Sequence, residues 1–382
     1  MSSAVREPGL PESYYAPEFS VEIEGAELKS EDKFDVLEVI VTLDAENLTS
    51  VDLKLNNYDD RRFKLKWSDS DKFKIGARVT VKLGYADRLL PMLSGYITTL
   101  TPTFPSDGAP TLGVRVVDPL VKLKGSKPPQ DQVTYKDLTD SEIAERIARR
   151  HNLRSKVDDS KPRYKLIDQE NLDDAQFIKA RAAAINFNVF MLTDPKKKDD
   201  VLHFVRPADG VGPKPIRTYV LAWGTMLDTD VAPSLIDFKP TIAAANQVKS
   251  VTVKGWDVET KKAISAKATP ENTADVMGVP GERGTDAATE LGGKTGREDV
   301  VVECYVESEE EAMSLAKALL AKRSYGYKTA RGKLIGLPDL RLNDNVEIHG
   351  VGKRFGGLYH VRKVVHTLND RGYVTEFEGR GA

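Results

Sequence analysis

The sequence predicts a mainly β protein with α+β insertions. Three observations lead to this fold class: apolar and polar residues alternate through the first third of the chain, helix-capping sequences follow in the middle, and alternation returns towards the C-terminus. A chain of 382 residues is also too long for one ordinary hydrophobic core, so we expect two or three domains.

The first third of the chain is predicted to form consecutive β-strands. Phe19, Val21 and Ile23 alternate with polar residues, and the same period continues from Leu37 to Leu43. Glycine, aspartate and proline separate the runs, which is typical of a barrel or sandwich with one buried face. We therefore expect an extended N-terminal arm over residues 1–16 and a first β-barrel domain over residues 17–124.

The residue pattern changes near residue 125, where strand-like alternation gives way to helix-capping sequences. Thr139 to Glu142 forms a capping box, and the helix that it starts should end near His151. A second helix is predicted from Asn171 onward, followed by a buried strand at 187–191. The lysine run 196–198 is interpreted as a charged hairpin tip. These elements indicate a mixed α+β middle domain over residues 125–230.

Strands resume in the last part of the chain, for which we expect a second β-barrel domain over residues 231–382. Within it, residues 266–298 are rich in Ala, Thr, Gly and Glu and have no sustained period, which predicts a long loop. Ser308 should then cap a helix over residues 308–323.

The two ends of the chain also echo each other. Residues 75–81 resemble 342–348, and the spacing from Gly95 to Thr111 equals that from Gly357 to Tyr373 at 16 residues. The echo indicates either two related barrels in one chain or a chance recurrence of strand and turn patterns.

Composition narrows the function classes. With 56 basic and 58 acidic residues the net charge is −2, which provides no overall field for nucleic acid or an anionic membrane. No apolar run reaches the length of a membrane helix, and the N-terminus lacks the apolar core of a signal peptide. The single cysteine, Cys304, excludes an internal disulfide and a cysteine metal cluster, and it reads as a small buried hydrophobe.

The sequence shows no residues with an evident catalytic or ligand-binding role. His360 and His366 share parity on a predicted strand, but Arg362 and Lys363 lie between them, so a solvated strand face is favoured over a zinc site. Carboxylate pairs such as Asp173–Asp174 carry no acid–base assignment without a pocket. No nucleophile elbow, phosphate loop or dinucleotide motif occurs. We therefore predict no catalytic, cofactor-binding or metal-binding residues and no enzymatic activity.

Several short motifs nevertheless occur in a characteristic order. They are Asn171–Ile178, Ala222-Trp223-Gly224, Leu235–Pro240, Val251–Asp257, Gly336–Asp344, Gly350–Gly352, Phe355–Val361, His366 and Gly372–Phe377. Together they resemble the phage late control gene D family, which supplies contractile tail baseplate hubs and is related to the hub part of VgrG spike proteins. The resemblance covers roughly residues 17–380.

The resemblance implies a non-enzymatic hub with two tube-like β-barrels per chain and no cofactor. Such a hub is a homotrimer that adapts a hexameric inner tube protein to a trimeric spike protein, contacts other baseplate components, and binds neither nucleic acid nor membrane. The chain stops after the second β unit, so we expect the spike to be a separate polypeptide. Assembly in the bacterial cytoplasm and a final place in the baseplate of a phage tail, an extracellular injector or a type VI-like machine would follow.

The same resemblance implies structural roles for a set of motif residues. They are Trp223, Gly255, Trp256, Asp257, Gly336, Pro338, Gly350, Gly352, Gly356, Gly357, Tyr359, Gly372 and Thr375. At the Gly356-Gly357 turn, we expect at least one residue to need a positive φ.

A second class of function stays open, namely a β-rich cell-surface or carbohydrate-binding module. The two tryptophan motifs could then stack on sugars, although their position in strands beside glycines favours packing.

Overall fold

The structure is a computed structural model of the whole chain. It describes all residues except 1–5, 9–15, 46, 87, 130–131, 162, 194–198, 207–216, 225–232, 258–259, 274–275, 277–282, 293–295, 303–305, 307 and 382. Two sequence predictions, the hairpin tip at 196–198 and the burial of Cys304, fall outside the described residues. No helix in the described part is long and apolar enough to span a membrane.

The fold is mainly β, as the sequence predicts. Its strands are β1 Arg6–Pro8, β2 Pro17–Ile23, β3 Ala26–Glu27, β4 Val36–Asp44, β5 Ser50–Asn56, β6 Tyr58–Asp59, β7 Lys64–Leu65, β8 Arg78–Tyr85, β9 Arg88–Thr103, β10 Thr111–Val117, β11 Thr134–Thr139, β12 Arg154–Val157, β13 Arg163–Asp168, β14 Asn188–Thr193, β15 Asp200–Val205, β16 Thr218–Ala222, β17 Leu235–Ile242, β18 Ser250–Asp257, β19 Lys262–Ala268, β20 Glu298–Val302, β21 Lys328–Ile335, β22 Asn345–His349, β23 Gly357–Asn369 and β24 Gly372–Gly381. The helices are α1 Ser30–Lys33, α2 Asp140–Arg150, α3 Asp174–Ala184, α4 Gly284–Leu291 and α5 Glu309–Ser324, with a 3-10 turn at Pro119–Leu123.

One 14-stranded sheet contains both ends of the chain. We call β2–β5 and β8–β10 the first β unit, and β16, β17 and β21–β24 the second β unit. The units join where β23 pairs antiparallel with β4, from Lys363 opposite Asp44 to Asn369 opposite Glu38. Apolar side chains of both units form one continuous core, because this pairing aligns their buried faces.

The two units repeat one topology. In the first, antiparallel pairing runs in the order β4-β5-β10-β9-β8. In the second it runs β17-β21-β24-β23-β22, and the strands follow one another along the chain in the same sequence. The first strand of each unit differs, since β2 is antiparallel to β8 whereas β16 is parallel to β22.

Irregularities recur at matching places in the two units. Strand β4 has a bulge at Leu37 and strand β17 one at Ile236, and these two side chains are 43% and 53% exposed. A second pair of bulges falls at Thr98 in β9 and at Arg362 in β23. Because a bulge costs a regular pairing position, its recurrence at two matched sites is strong evidence of repetition.

The turns that precede these strands match as well. Gly76 donates its N–H to the carbonyl of Ile97 at 2.8 Å, and Ile97 donates back to the residue after Gly76. Asn343 and Val361 make the same two bonds, and Gly76 and Asn343 both have positive φ, 85° and 68°. The echo therefore marks two related β units.

The alignment that the echo suggested is wrong in one detail. Matching the bulges places His360 where Tyr96 stands, an offset of 264 residues (360 − 96), so Gly95 corresponds to Tyr359. The equal spacing from Gly95 and Gly357 is a coincidence, because Gly95 lies inside β9 while Gly357 begins β23.

The middle region packs helices α2 and α3 against short sheets and has a core of its own. Helix α2 begins at the predicted capping box, in which Thr139 and Glu142 cap each other reciprocally. Asp173 and Gln176 form a second capping box at α3. Strand β16, which a boundary at residue 230 would place here, instead lies in the large sheet beside β22.

A small domain is inserted between β17 and β21. Its sheet has the order β19-β18-β20, and helix α5 covers one face of it. Val251, Val253 and Ile264 from the sheet pack against Ala316 and Leu320 from α5. Ser308 accepts a hydrogen bond from the N–H of Glu311 at 3.1 Å, so this helix starts where the sequence predicts.

The predicted long loop at 266–298 is wrong. The segment contains the end of β19, helix α4 and the start of β20. Ala268 and Ala288 are fully buried and Val276 packs into the core of the small domain. The sequence showed no sustained period because the described elements are short and the helix has only 8 residues.

Candidate functional site at the junction of the two β units

Contacts beyond the β4–β23 pairing hold the two units together. The Tyr85 hydroxyl donates to the carbonyl of Gly336 at 2.8 Å, and burial raises the pKa of Tyr85 to about 12. Arg88 forms an ion pair with Asp339 at 2.9 Å. Because β8, β9 and the loop after β21 meet here, the motif Gly336–Asp344 lies at the junction.

A buried hydrogen-bond network lies at the centre of the junction. His366 is fully buried, and its Nε2 is 3.2 Å from the carbonyl of Leu340. A carbonyl can only accept, so Nε2 carries the proton and Nδ1 accepts. The hydroxyls of Tyr373 and Thr375 lie 3.0 and 3.1 Å from Nδ1. Thr375 also accepts the N–H of Leu337 at 2.8 Å, which ties the loop to β24.

The predicted solvated face at His360 and His366 is therefore wrong, since both side chains are buried. His360 Nδ1 lies 3.0 Å from Asn345 Oδ1. Burial, and next the positive charge of Arg341, lower the pKa of His366 to about 3, so its imidazole is neutral at pH 7. In the described part of the chain no three His, Cys, Asp or Glu residues are grouped to hold a metal ion.

Glycines at the junction allow close packing. A Cβ atom at Gly336 would lie 2.2 Å from Cδ1 of the Tyr373 ring, so any side chain there would displace this tyrosine. Gly357 has φ +95°, as the turn chemistry predicts. The remaining motif glycines of this region lie in the loop between β22 and β23 or in the β23–β24 hairpin: Gly350, Gly352, Gly356 and Gly372.

Two further motif residues, Pro338 and Tyr359, have clear packing or hydrogen-bonding roles. Pro338 is buried and its carbonyl accepts from the guanidinium of Arg341. The ring of Tyr359 is fully buried against Phe238, and its hydroxyl donates to the carbonyl of Phe355 at 2.6 Å. These contacts join the glycine loop to the core of the second unit.

The side chains of the two motif tryptophans do not lie in the core. Trp223 and Trp256 are 48% and 50% exposed, so packing does not account for their indoles. The backbone N–H of Trp223 donates to the carbonyl of His349 at 3.1 Å. A Cβ atom at Gly255 would approach the Val306 carbonyl to 2.7 Å, and Asp257 accepts from Thr260 in a turn. Gly255, Trp256 and Asp257 therefore belong to the small domain and lie away from the junction.

Sequence reasoning missed the ionic groups of the middle region. Asp174 is fully buried, pairs with Arg150 at 2.8 Å and lies 2.6 Å from His151 Nε2. Asp200 links this region to the first β unit through Arg78, at 2.9 Å. Carboxylate pairs in sequence could not show this, because the cationic partners come from elements far along the chain.

Comparison with known proteins adds the following findings. The family model described as the Alg8 N-terminal domain matches residues 15–370. The chain belongs to this family. The matching model is not that of the late control gene D family, so membership of the latter stays a prediction. No curated protein matches the chain.

Among solved structures, the fold is similar to tail proteins. The 43 kDa tail protein of prophage MuSo2 from Shewanella oneidensis aligns with a TM-score of 0.67 at 15% identity, over 96% of this chain and 98% of that one. A tail protein from Neisseria meningitidis aligns at 0.66 and 15%, over 96% and 97%. A type VI secretion system component from E. coli aligns at 0.58 and 15%, over 95% and 76%. This family member therefore has the fold of these proteins.

Proposed function

We propose that the chain is the central, non-enzymatic baseplate hub of a contractile injection machine of the late control gene D type. One observation carries the proposal: a single chain holds two β units with the same strand order, matched bulges and matched turns, side by side in one sheet. Similarity to tail and type VI proteins over nearly the whole chain supports it.

The repeat suits an adaptor between two symmetries. Three chains would present six similar β units to a hexameric inner tube protein, and the same homotrimer would offer threefold symmetry to a separate spike protein. Other baseplate components would bind the periphery. The protein would assemble in the bacterial cytoplasm and then form part of a phage tail, an extracellular injector or a type VI-like particle.

Electron microscopy of particles from a deletion strain tests the hub assignment. A ring that templates the tube should be needed before tube polymerisation, so we expect no full-length tails without the protein and normal tails after complementation. Full-length tails in the deletion strain would refute the proposal. A reconstruction with six copies of this chain in the hub would refute the symmetry argument alone.

A carbohydrate-binding module is the second candidate, favoured by the half-exposed indoles of Trp223 and Trp256. Glycan arrays with the wild type and with the Trp223→Ala and Trp256→Ala variants separate the two functions. Saturable glycan binding that either variant abolishes would support this alternative, whereas a hub needs no glycan signal.

A further inference from the structure

A large cavity lies outside the junction of the two β units. Its volume is about 900 Å³, which is within the size range of ligand-binding clefts. The floor is one face of β17, β21 and β24, and the walls are the C-terminal ends of α3 and α5. Neighbouring positions on the floor include Lys239, Arg331 and Glu378, which pair across the three strands.

The lining is strongly basic although the whole chain is nearly neutral. Six cationic side chains line the cavity against a single carboxylate, Glu378; the six are Lys179, Lys239, Lys322, Arg331, Arg362 and Arg380. Glu378 is 3.4 Å from Arg331. Lys179 has the carboxylates of Asp118 and Asp44 nearby, but the lining still carries more positive than negative charge. A cavity of one charge sign concentrates the opposite charge and attracts acidic groups.

Two of the lining lysines, Lys239 and Lys322, are the clearest candidates for contact with a ligand. Lys239 and Lys322 are exposed and make no ion pair with any described residue. By contrast, Arg380 is buried with its guanidinium carbon 3.4 Å from the centre of the Tyr325 ring, and Asn186 donates to the Tyr325 hydroxyl at 2.6 Å. The cavity lining thus combines a buried arginine with two exposed lysines.

The surroundings favour carboxylates on a peptide over phosphate. Helices α3 and α5 reach the cavity with their C-terminal ends, which carry a partial negative charge and offer no N–H groups to an anion, so the basic side chains alone must attract an acidic group. Apolar residues, among them the half-buried Phe187 and the alanines Ala45 and Ala183, line the same cavity. An occupant with both acidic and apolar groups matches this lining better than a nucleic acid backbone does.

We propose that this cavity binds an acidic peptide segment of a partner protein. Carboxylates of the segment would face Lys239, Lys322 and the arginines of the floor, and its apolar side chains would contact Phe187 and Ala183. The inference concerns a site that the hub assignment does not use, and it can be tested on the isolated protein.

Fluorescence anisotropy with a labelled eight-residue peptide of alternating Glu and Leu is the direct test. We expect saturable binding that weakens with salt, and no binding of the matched Gln–Leu peptide. The variant Lys239→Glu/Lys322→Glu should lose affinity for the peptide about tenfold or more, because it reverses two of the exposed charges that line the cavity. Lys161→Glu/Lys254→Glu makes the same charge change at two exposed lysines that do not line the cavity, and it should stay within about twofold.

Four outcomes overturn the proposal. They are no binding at about 1 mM peptide, equal losses in both double variants, tighter binding of a single-stranded oligonucleotide at the same lysines, and displacement by inorganic phosphate at equal concentration. An unchanged unfolding midpoint in both variants excludes misfolding as the cause of any loss. None of these readouts depends on particle assembly, so failure here leaves the hub proposal intact.

Discussion

The Tyr85 hydroxyl of the first β unit donates a 2.8 Å hydrogen bond to the Gly336 carbonyl of the second, in a buried setting. Tyr85→Phe would leave that carbonyl without this donor, and an unpaired buried polar group costs about 1–3 kcal/mol. We expect urea unfolding at pH 7 to show a destabilisation of this size. Tyr58→Phe, at a hydroxyl with no hydrogen bond among the described residues, should change stability by less than about 0.5 kcal/mol. Equal effects of the two variants would argue against a role for the Tyr85 bond.

The pH dependence of stability should reveal His366. Its folded pKa is lowered from 6.5 to about 3, so the unfolded chain binds the extra proton first. The stability that neutral His366 provides is present above pH 6.5 and is lost as the pH falls towards 3, by on the order of 5 kcal/mol in total. A His366→Gln variant should flatten this slope between pH 4 and 6.5 in unfolding titrations. An unchanged slope would contradict the assignment.

Asp118 should change the stability with pH in the direction opposite to His366, so it serves as an internal control. Burial raises its pKa from 3.8 to about 6, although the N–H groups of Leu120 and Thr49 stabilise its charge. The folded state therefore holds this proton longer, and the contribution of Asp118 falls as the pH rises from about 4 through 6. Asp118→Asn should remove that decline while it leaves the His366 slope in place, measured in the same titration.

When the two β units are superposed as a repeat, two prolines occupy the positions that correspond to a residue pair of the β4–β23 junction. Val41 and His366 face each other in the β4–β23 pairing. Counting from the matched bulges, Pro240 of β17 holds the place of Val41, and Pro102 of β9 holds the place of His366. Proline on an edge strand prevents unwanted strand pairing. We infer that these prolines keep separate copies from joining edge to edge.

Pro102→Val/Pro240→Val should therefore form concentration-dependent oligomers in light scattering at concentrations where the wild type does not. Pro129→Val, at an exposed loop proline, is the control and should behave like the wild type. A double variant with the mass of the wild type at every concentration would show that the prolines do not guard these edges.

The segment 266–298 allows a further test. Ala288 lies on the buried face of α4 and is fully buried, so Ala288→Asp would bury a charge and should destabilise the small domain by more than about 2 kcal/mol. Limited proteolysis should then cleave within 250–325 first. Glu290→Lys on the exposed side should leave the cleavage pattern unchanged. Resistance of the Ala288→Asp variant would restore the loop interpretation.

Local signals in the sequence determined much of the fold. Alternation placed the strands of both β units, and the capping box at Thr139 marked the start of α2, because these patterns act over a few residues. The sequence predicts the second helix from Asn171, whereas the capping box at Asp173 starts α3 at Asp174. Features that depend on distant partners could not be predicted. The burial of His366 follows from the loop at Leu340, and Asp174 is buried only because α2 brings Arg150 to it. For the candidate site, the sequence indicated the motif residues but not that Gly336 meets Tyr85 or that Thr375 meets His366.

The covalent link between the two β units has a kinetic consequence. Their joining strands, β4 and β23, belong to one chain, so this junction forms by folding and needs no encounter between molecules. A six-unit ring of the proposed kind would then assemble from three molecules rather than six, and its yield would vary with a lower power of protein concentration. Two β units in one chain would thus lower the protein concentration that a ring of six units needs.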